Sequence, residues 1–218
     1  MKLATPDLEQ QVLAELTEQL GRPAIIVGMD EVGRGALAGP VAVGAVAITT
    51  STPEAPVGLA DSKVLRPAAR EAYVETITNW APGAVGYGSV DTINRAGIMA
   101  GLREAGMAAL AQLPVVPDLV LLDGVADWLT GNDLFTGFDT PKVRTVVKGD
   151  LTCTVIAAAS ILAKVARDEL MVGLDGADGY SWKSNKGYAS PAHIDALSRL
   201  GPHVHHRTAW QLPGVTHE

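Results

Sequence analysis

Gly28-Met29-Asp30-Glu31-Val32-Gly33-Arg34-Gly35 is the stretch on which the reading of this chain turns. The residues leading into it, Ala24-Ile25-Ile26-Val27-Gly28-Met29, are almost all apolar, the pattern of a strand buried on both faces. That strand runs directly into two adjacent carboxylates. At a solvated strand end they would need no partner; in a low-dielectric site they would repel each other unless cations or donors met them. Two further carboxylates favour the second alternative. Leu119-Val120-Leu121-Leu122-Asp123 is another apolar strand ending on an acid, and Asp150, in Val146-Val147-Lys148-Gly149-Asp150, stands at the entry to a helix. Each alone has an ordinary reading, Asp123 as a turn residue before Gly124 and Asp150 as an acid at a helix N-terminus. Strand ends and a helix start can converge, however, and divalent ions would relieve the repulsion of four carboxylates brought together. Oxygen-only ligands favour Mg2+ or Mn2+ over zinc, for which a His and Cys set is missing. Such a site suits two-metal phosphoryl transfer, one ion activating water and the other stabilising the leaving oxygen.

Outward from this centre, periodicity predicts strands over 24–29, 41–49, 84–90, 119–123 and 143–147, and helices over 66–80, 94–113 and 151–172. Thr5-Pro6-Asp7 has the form of a helix start, with a capping hydroxyl and proline at the first helical position. Leu8, Val12, Leu13 and Leu16 would form the apolar stripe of a peripheral helix over 1–22. Residues 127–140 read as loop. Strands first, then alternating helices and strands, point to one α/β domain with a mixed sheet over 23–210, followed by a short tail, 211–218. Gly33-x-Gly35-x-x-x-Gly39 superficially matches a dinucleotide-binding loop, but it leads into a strand rather than a helix. Its tight turn instead lets backbone amides approach a sugar or phosphate oxygen.

The chain has 218 residues, enough for a sizeable core, and a single cysteine, which rules out an internal disulfide and suits a reducing compartment. No apolar run approaches the roughly 18 residues of a membrane span, and 1–16 lacks the apolar stretch of a signal peptide, so a cytoplasmic protein is expected. The net charge of −7 argues against a nucleic-acid partner at first sight. It is unevenly spread: 17 acidic and 8 basic residues lie up to position 141, but 6 acidic and 9 basic between 142 and 207. That basic stretch, with Lys148, Lys164, Lys183, Lys186 and Arg207, is either solvated surface or a phosphate-facing share of the molecule. His203, His205 and His206 have the spacing of a transition-metal site but lack a completing carboxylate or cysteine, which favours an ordinary loop.

The motif Gly28-x-Asp30-Glu31-x-Gly33-Arg34-Gly35, with Ala38-Gly39-Pro40-Val41 after it, resembles the opening signature of the type 2 ribonucleases H, in particular bacterial ribonuclease HII. The similarity continues in order through Asp61-Ser62-Lys63, Leu122-Asp123-Gly124, Lys148-Gly149-Asp150, the 156–165 segment, Arg167-Asp168, Lys186-Gly187-Tyr188 and His206-Arg207. Small departures occur at Asn94 to Gly97, Ala189-Ser190 and Thr208-Ala209-Trp210, none at the carboxylates. The resemblance implies a ribonuclease H-like fold, a mixed central β-sheet flanked by helices with a C-terminal helical region. It also implies hydrolysis of RNA paired with DNA, including cleavage 5′ to single ribonucleotides embedded in duplex DNA, leaving a 3′-hydroxyl and a 5′-phosphate.

By motif position, Asp30, Glu31, Asp123 and Asp150 would hold two Mg2+ or Mn2+ ions. Gly33, Arg34 and Gly35 would contact the ribonucleotide at its 2′-hydroxyl, the group that separates RNA from DNA. Tyr188 would pack on the neighbouring deoxyribose. Ser62 and Lys63 either flank the nucleic-acid groove or form a simple turn and cap, and Lys148 and Lys186 are candidate phosphate contacts. Asp168 follows Asp150 by five helical turns, about 27 Å along a continuous helix, and is read as a structural partner of Arg167 or another cation. A monomer is expected, and Gln211 to Glu218 shows no evident clamp-binding pattern. A nuclease acting on DNA alone would have no use for a 2′-hydroxyl sensor, and a catalytically dead binding module would not need all four carboxylates.

Overall fold

The computed structural model describes residues 4–59, 66–130, 141–174 and 179–215. Ser62, Lys63 and most of the expected 127–140 loop lie outside them. The elements in chain order are α1 (Asp7–Leu20), β1 (Ile25–Val32), β2 (Val41–Thr49), α2 (Pro67–Trp80), β3 (Gly83–Gly88), α3 (Val90–Ala96), α4 (Ile98–Leu110), β4 (Leu119–Asp123) and β5 (Val143–Val146). They continue with α5 (Gly149–Thr152), α6 (Thr154–Leu174), α7 (Trp182–Asn185) and α8 (Pro191–Leu200). The strands form one mixed sheet in the order β3-β2-β1-β4-β5. β3, β2 and β1 pair antiparallel, while β1, β4 and β5 run parallel. The α/β class with a mixed sheet flanked by helices is therefore as expected.

Alternation along the strands sorts side chains between two cores. Ile26, Val46, Ile48 and Leu121 face α6 and α1, whereas Val27, Met29, Val43, Val120 and Leu122 face α4. A third apolar cluster of Leu37, Met171, Tyr180, Trp182 and Leu197 joins the C-terminal helices to the end of α6. α6 lies unusually close to the sheet. At Gly44 an added Cβ would stand 2.0 Å from the Ala159 carbonyl oxygen, so only glycine at that position admits the helix. This approach carries Ser160 over β1. No helix among the described residues is long and apolar enough to cross a membrane.

Four expectations are corrected. β1 runs on through Val32, so Asp30 and Glu31 lie within a paired strand, opposite Gly44 and Val43. The single helix over 94–113 is two, because Gly97 takes φ +85° between α3 and α4, a conformation that ends a helix. The helix over 151–172 is also two: Cys153 is extended between α5 and α6. Finally, Thr5 does not cap α1. Pro6 is the N-cap, and the Thr5 hydroxyl donates to the Asp7 carboxylate at 2.9 Å.

The break at Cys153 has a remote cause. Glu9 of α1 is only 2% exposed; its carboxylate accepts from the amides of Thr154 at 2.9 Å and Val155 at 3.2 Å and from the Cys153 thiol at 2.8 Å. It is an N-terminal cap for α6 delivered from another helix, compensating amides that no intrahelical partner can reach. Burial pushes the Glu9 carboxyl above its ordinary range, against the lowering effect of these donors, and burial likewise pushes the Cys153 thiol up. Glu9→Ala is expected to cost about 2 kcal/mol or more, since it orphans buried donors as well as removing a cap. Urea unfolding at pH 7 measures it, and an unchanged midpoint would refute the role.

Candidate active site

β1 and β4 are parallel neighbours with Met29 level with Leu122, so their carboxyl ends present Asp30 and Asp123 side by side. Both residues fall on the alternation that faces α6. Asp150 arrives from the first turn of α5, which β5 feeds directly. Carboxylate oxygens of Asp30, Asp123 and Asp150 all lie within 4.8 Å of one another, the one such grouping among the described residues able to share an ion. Asp30 is 4% exposed and Asp150 6%. The Asp123 Oδ1 accepts from the Gly149 amide at 2.6 Å, fixing the α5 entry against β4. The Asp30 Oδ1 accepts from the Glu31 amide at 2.8 Å, and the Ser160 hydroxyl also bonds to this carboxylate.

Burial pushes the Asp30 carboxyl up to about 8, against the Ser160 bond; Asp123, Glu31 and Asp150 add to the rise. A cluster this costly to ionise fits a divalent cation, and its all-oxygen donor set fits Mg2+ or Mn2+. Glu31 stands outside the trio. As the next residue on the strand it points to the α4 face, where its Oε1 accepts from Arg34 Nη1 at 3.2 Å. Burial raises the Glu31 carboxyl too, while the Arg34 bond and charge lower it.

The Gly33-Arg34-Gly35 turn follows directly on β1, three residues after Asp30. Gly33 has φ +87°, and a Cβ there would meet the Arg167 guanidinium at 2.0 Å, so both conformation and space require glycine. Its amide donates to the Tyr188 hydroxyl at 3.1 Å. Tyr188, half-exposed at 36%, has the Arg167 guanidinium 5.4 Å from its ring centroid. Arg34 and Gly35 are exposed, with the Arg34 side chain lying between Glu31 and Met99. Lys148 is exposed in a left-handed conformation at the start of α5, and Lys186, also left-handed, ends α7 with its ammonium on the Lys183 carbonyl.

The basic stretch divides differently from either sequence reading. Arg207 is fully buried, neither solvated nor free for phosphate: its guanidinium donates to the carbonyls of Gly33 at 2.7 Å, Arg34 at 2.8 Å and Gly39 at 3.0 and 3.1 Å. Arg167, also fully buried, donates to the carbonyls of Pro40, Lys186 and Ala38. These two cations are the internal frame of the turn. Burial and the neighbouring Arg167 charge push Arg207 down to about 9. Lys164 is committed to Asp168 at 2.5 Å, and Asp168 therefore serves a lysine rather than Arg167. Sequence reasoning missed Ser160, Arg167 as a frame residue, and Glu9. For Glu9 a signal existed: it shares one helical face with Val12, Leu13 and Leu16, an acid on an apolar stripe.

The family model described as Ribonuclease HII matches residues 27–212. The chain belongs to the ribonuclease HII family. Ribonuclease HII enzymes are divalent-metal-dependent endonucleases that cleave the RNA of RNA/DNA hybrids, and this chain is such a hydrolase. It is similar to the ribonuclease HII of Streptomyces coelicolor (strain ATCC BAA-471 / A3(2) / M145), with 46% identity over 190 residues, 85% of this chain and 76% of the relative. It is 42% identical to that of Cereibacter sphaeroides (strain ATCC 17025 / ATH 2.4.3) over 212 residues, 97% and 93% of the two chains. Among solved structures, ribonuclease H2 from Pyrococcus horikoshii OT3 shares the fold with a TM-score of 0.67 at 23% identity, over 87% of this chain and 95% of that one.

Proposed function

We propose that this enzyme cleaves on the 5′ side of single ribonucleotides embedded in duplex DNA, as well as in longer hybrids, leaving a 3′-hydroxyl and a 5′-phosphate. The observation that carries this reading is the adjacency of two features: the Asp30–Asp123–Asp150 trio and the Gly33 turn bonded to Tyr188. Asp30, Asp123 and Asp150, with Glu31 turning from Arg34, would hold Mg2+ or Mn2+. Two such ions, when bound, supply the charge that activates water and stabilises the leaving oxygen.

The rest falls to the chain itself. The Ser160 hydroxyl and the Glu31 amide orient the Asp30 carboxylate, and the Gly149 amide orients Asp123. Gly33, Arg34 and Gly35 place backbone groups where a 2′-hydroxyl is tested, independent of base identity. Tyr188 presents an aromatic face to the adjoining sugar, so that a ribonucleotide followed by DNA fits better than continuous RNA. Lys148 and Lys186 are proposed as backbone phosphate contacts, and Ser62 and Lys63 as further contacts outside the described residues.

With Mg2+ or Mn2+, duplex DNA carrying one ribonucleotide is expected to be cut once, at its 5′ side, and the all-DNA duplex to stay intact. Gel analysis of end-labelled strands reads the outcome. Cleavage of both duplexes, or of neither, would overturn the proposal.

A further inference from the structure

Two buried histidines outside the carboxylate site, His193 on α8 and His206 before Arg207, face each other with their Nε2 atoms 3.0 Å apart. Both are fully buried. Their hydrogen bonds fix the protons. The His193 Nδ1 lies 2.9 Å from the Tyr188 carbonyl, an acceptor only, so Nδ1 carries the hydrogen. The His193 Nε2 is then a lone pair, and the Trp182 indole donates to it at 3.2 Å. The His206 Nδ1 accepts from the His203 amide at 2.8 Å, which leaves its proton on Nε2, aimed at His193. Both imidazoles are then neutral, and the His206 Nε2–H and the Trp182 indole share the single lone pair of the His193 Nε2.

The pair closes a ring of contacts around the substrate-facing elements. The Gly33 amide bonds to the Tyr188 hydroxyl; the Tyr188 carbonyl bonds to His193; His193 bonds to His206; and Arg207, next in the chain, returns to the Gly33 carbonyl. The bridge between Ala38 and His206, and the Leu37 carbonyl accepting from the Arg207 amide, tie the same segment to the stretch between the turn and β2. Tyr188 sits on the short connection between α7 and α8; on its N-terminal side the Gly187 carbonyl accepts from the Leu37 and Ala38 amides and Arg167 holds the Lys186 carbonyl, while on its C-terminal side its own carbonyl is held by His193. A phenol that judges a sugar must be held to a fraction of an ångström.

We propose that His193 and His206 are positioning residues that hold Tyr188 against the Gly33–Gly35 turn and thereby set the selectivity for a ribonucleotide followed by DNA. The selectivity part rests on the role proposed for Tyr188 above. Asparagine places an amide where Nδ1 stands, and glutamine one where Nε2 stands, so the two substitutions at His193 separate the two ends of the imidazole.

The test compares His193→Asn, His193→Gln and Tyr188→Ala with the parent enzyme, at a temperature where urea unfolding shows each is folded. Two quantities are read: exchange protection of the Gly33 amide, and the ratio of kcat/KM on the single-ribonucleotide duplex to that on a long hybrid. His193→Asn, which keeps a donor for the Tyr188 carbonyl and loses the bond to His206, should lower the ratio about threefold. His193→Gln should lower it about tenfold, through KM, the size of one buried hydrogen bond, and should lower Gly33 protection similarly. Equal ratios in the two His193 variants, or unchanged Gly33 protection in His193→Gln, would overturn the proposal. If Tyr188→Ala leaves the ratio unchanged while His193→Gln still exposes the Gly33 amide, the positioning stands and the role of Tyr188 itself is overturned. Should His193→Gln fail to fold, His206→Gln, which keeps a donor at Nε2, is compared with His206→Met, which does not; equal Gly33 protection in those two would overturn the proposal as well.

Discussion

Asp30→Asn is expected to abolish cleavage, by about a thousandfold or more, while making the metal-free protein more stable at pH 8. Both effects follow from one carboxylate. The loss follows because Asp30 sits at the centre of the acidic trio, and an amide there removes a charge the metal site needs, a deficit of several kcal/mol in the transition state. Binding to a noncleavable duplex should survive, since the turn and Tyr188 are untouched. The gain in stability follows from the raised folded-state carboxyl, about 8 against 3.8. A group raised on folding binds its proton more tightly in the folded chain. In the metal-free parent, its contribution is therefore full below pH 4 and lost progressively as pH rises to about 8.

Asparagine removes that dependence. The variant should melt about 5–10 °C above the metal-free parent at pH 8 and show little advantage at pH 4. Added Mg2+ should stabilise the parent at pH 8 far more than the variant. Differential scanning fluorimetry across pH, with and without Mg2+, reads all of this. A variant less stable than the metal-free parent at pH 8, or one with full activity, would contradict it.

Arg207→Ala is expected to cost about 4 kcal/mol, lowering the melting temperature by about 8–16 °C. The guanidinium occupies no phosphate site. It satisfies the carbonyls of Gly33, Arg34 and Gly39 inside the protein; removing it strips the Arg34 and Gly39 carbonyls of this donor, at about 1–3 kcal/mol for each buried group before relaxation, and leaves Gly33 only the Ala36 amide. Arg207→Lys should recover less than half, because an ammonium cannot reproduce the planar fork. Trp210, whose ring lies 4.9 Å from the guanidinium, loses its stacking partner in both variants. Guanidinium chloride unfolding gives the value; a loss under about 1 kcal/mol would show that the turn stands without its frame.

What was legible in the sequence is what depends on local pattern. Apolar runs that end on acids revealed β1, β4 and their carboxylates, because strand alternation and burial are written into neighbouring residues. The same alternation explains why Glu31 rests on Arg34 while its neighbour Asp30 faces α6 beside Asp123. What was not legible depends on contacts between distant segments. The helical pattern runs unbroken across Cys153; the stop there comes from Glu9, 144 residues earlier. The basic stretch reads as either solvated surface or phosphate-facing, yet Arg207 is drawn inside by carbonyls of the 33–40 segment, and so is Arg167. Ser160 looked like one more small residue in Ala157-Ala158-Ala159-Ser160, and its role exists only because Gly44 lets α6 come close enough for the hydroxyl to reach Asp30.

Asp30, Asp123 and Asp150 are proposed to form a divalent-metal site where the parallel strands β1 and β4 end. A crystal of the metal-free protein soaked in Mn2+, with anomalous scattering recorded at the manganese edge, tests this most directly. An anomalous peak is expected between these three carboxylates in the parent crystal, and its loss in Asp123→Asn. A peak bound elsewhere, or one that persists at full strength in Asp123→Asn, would contradict it.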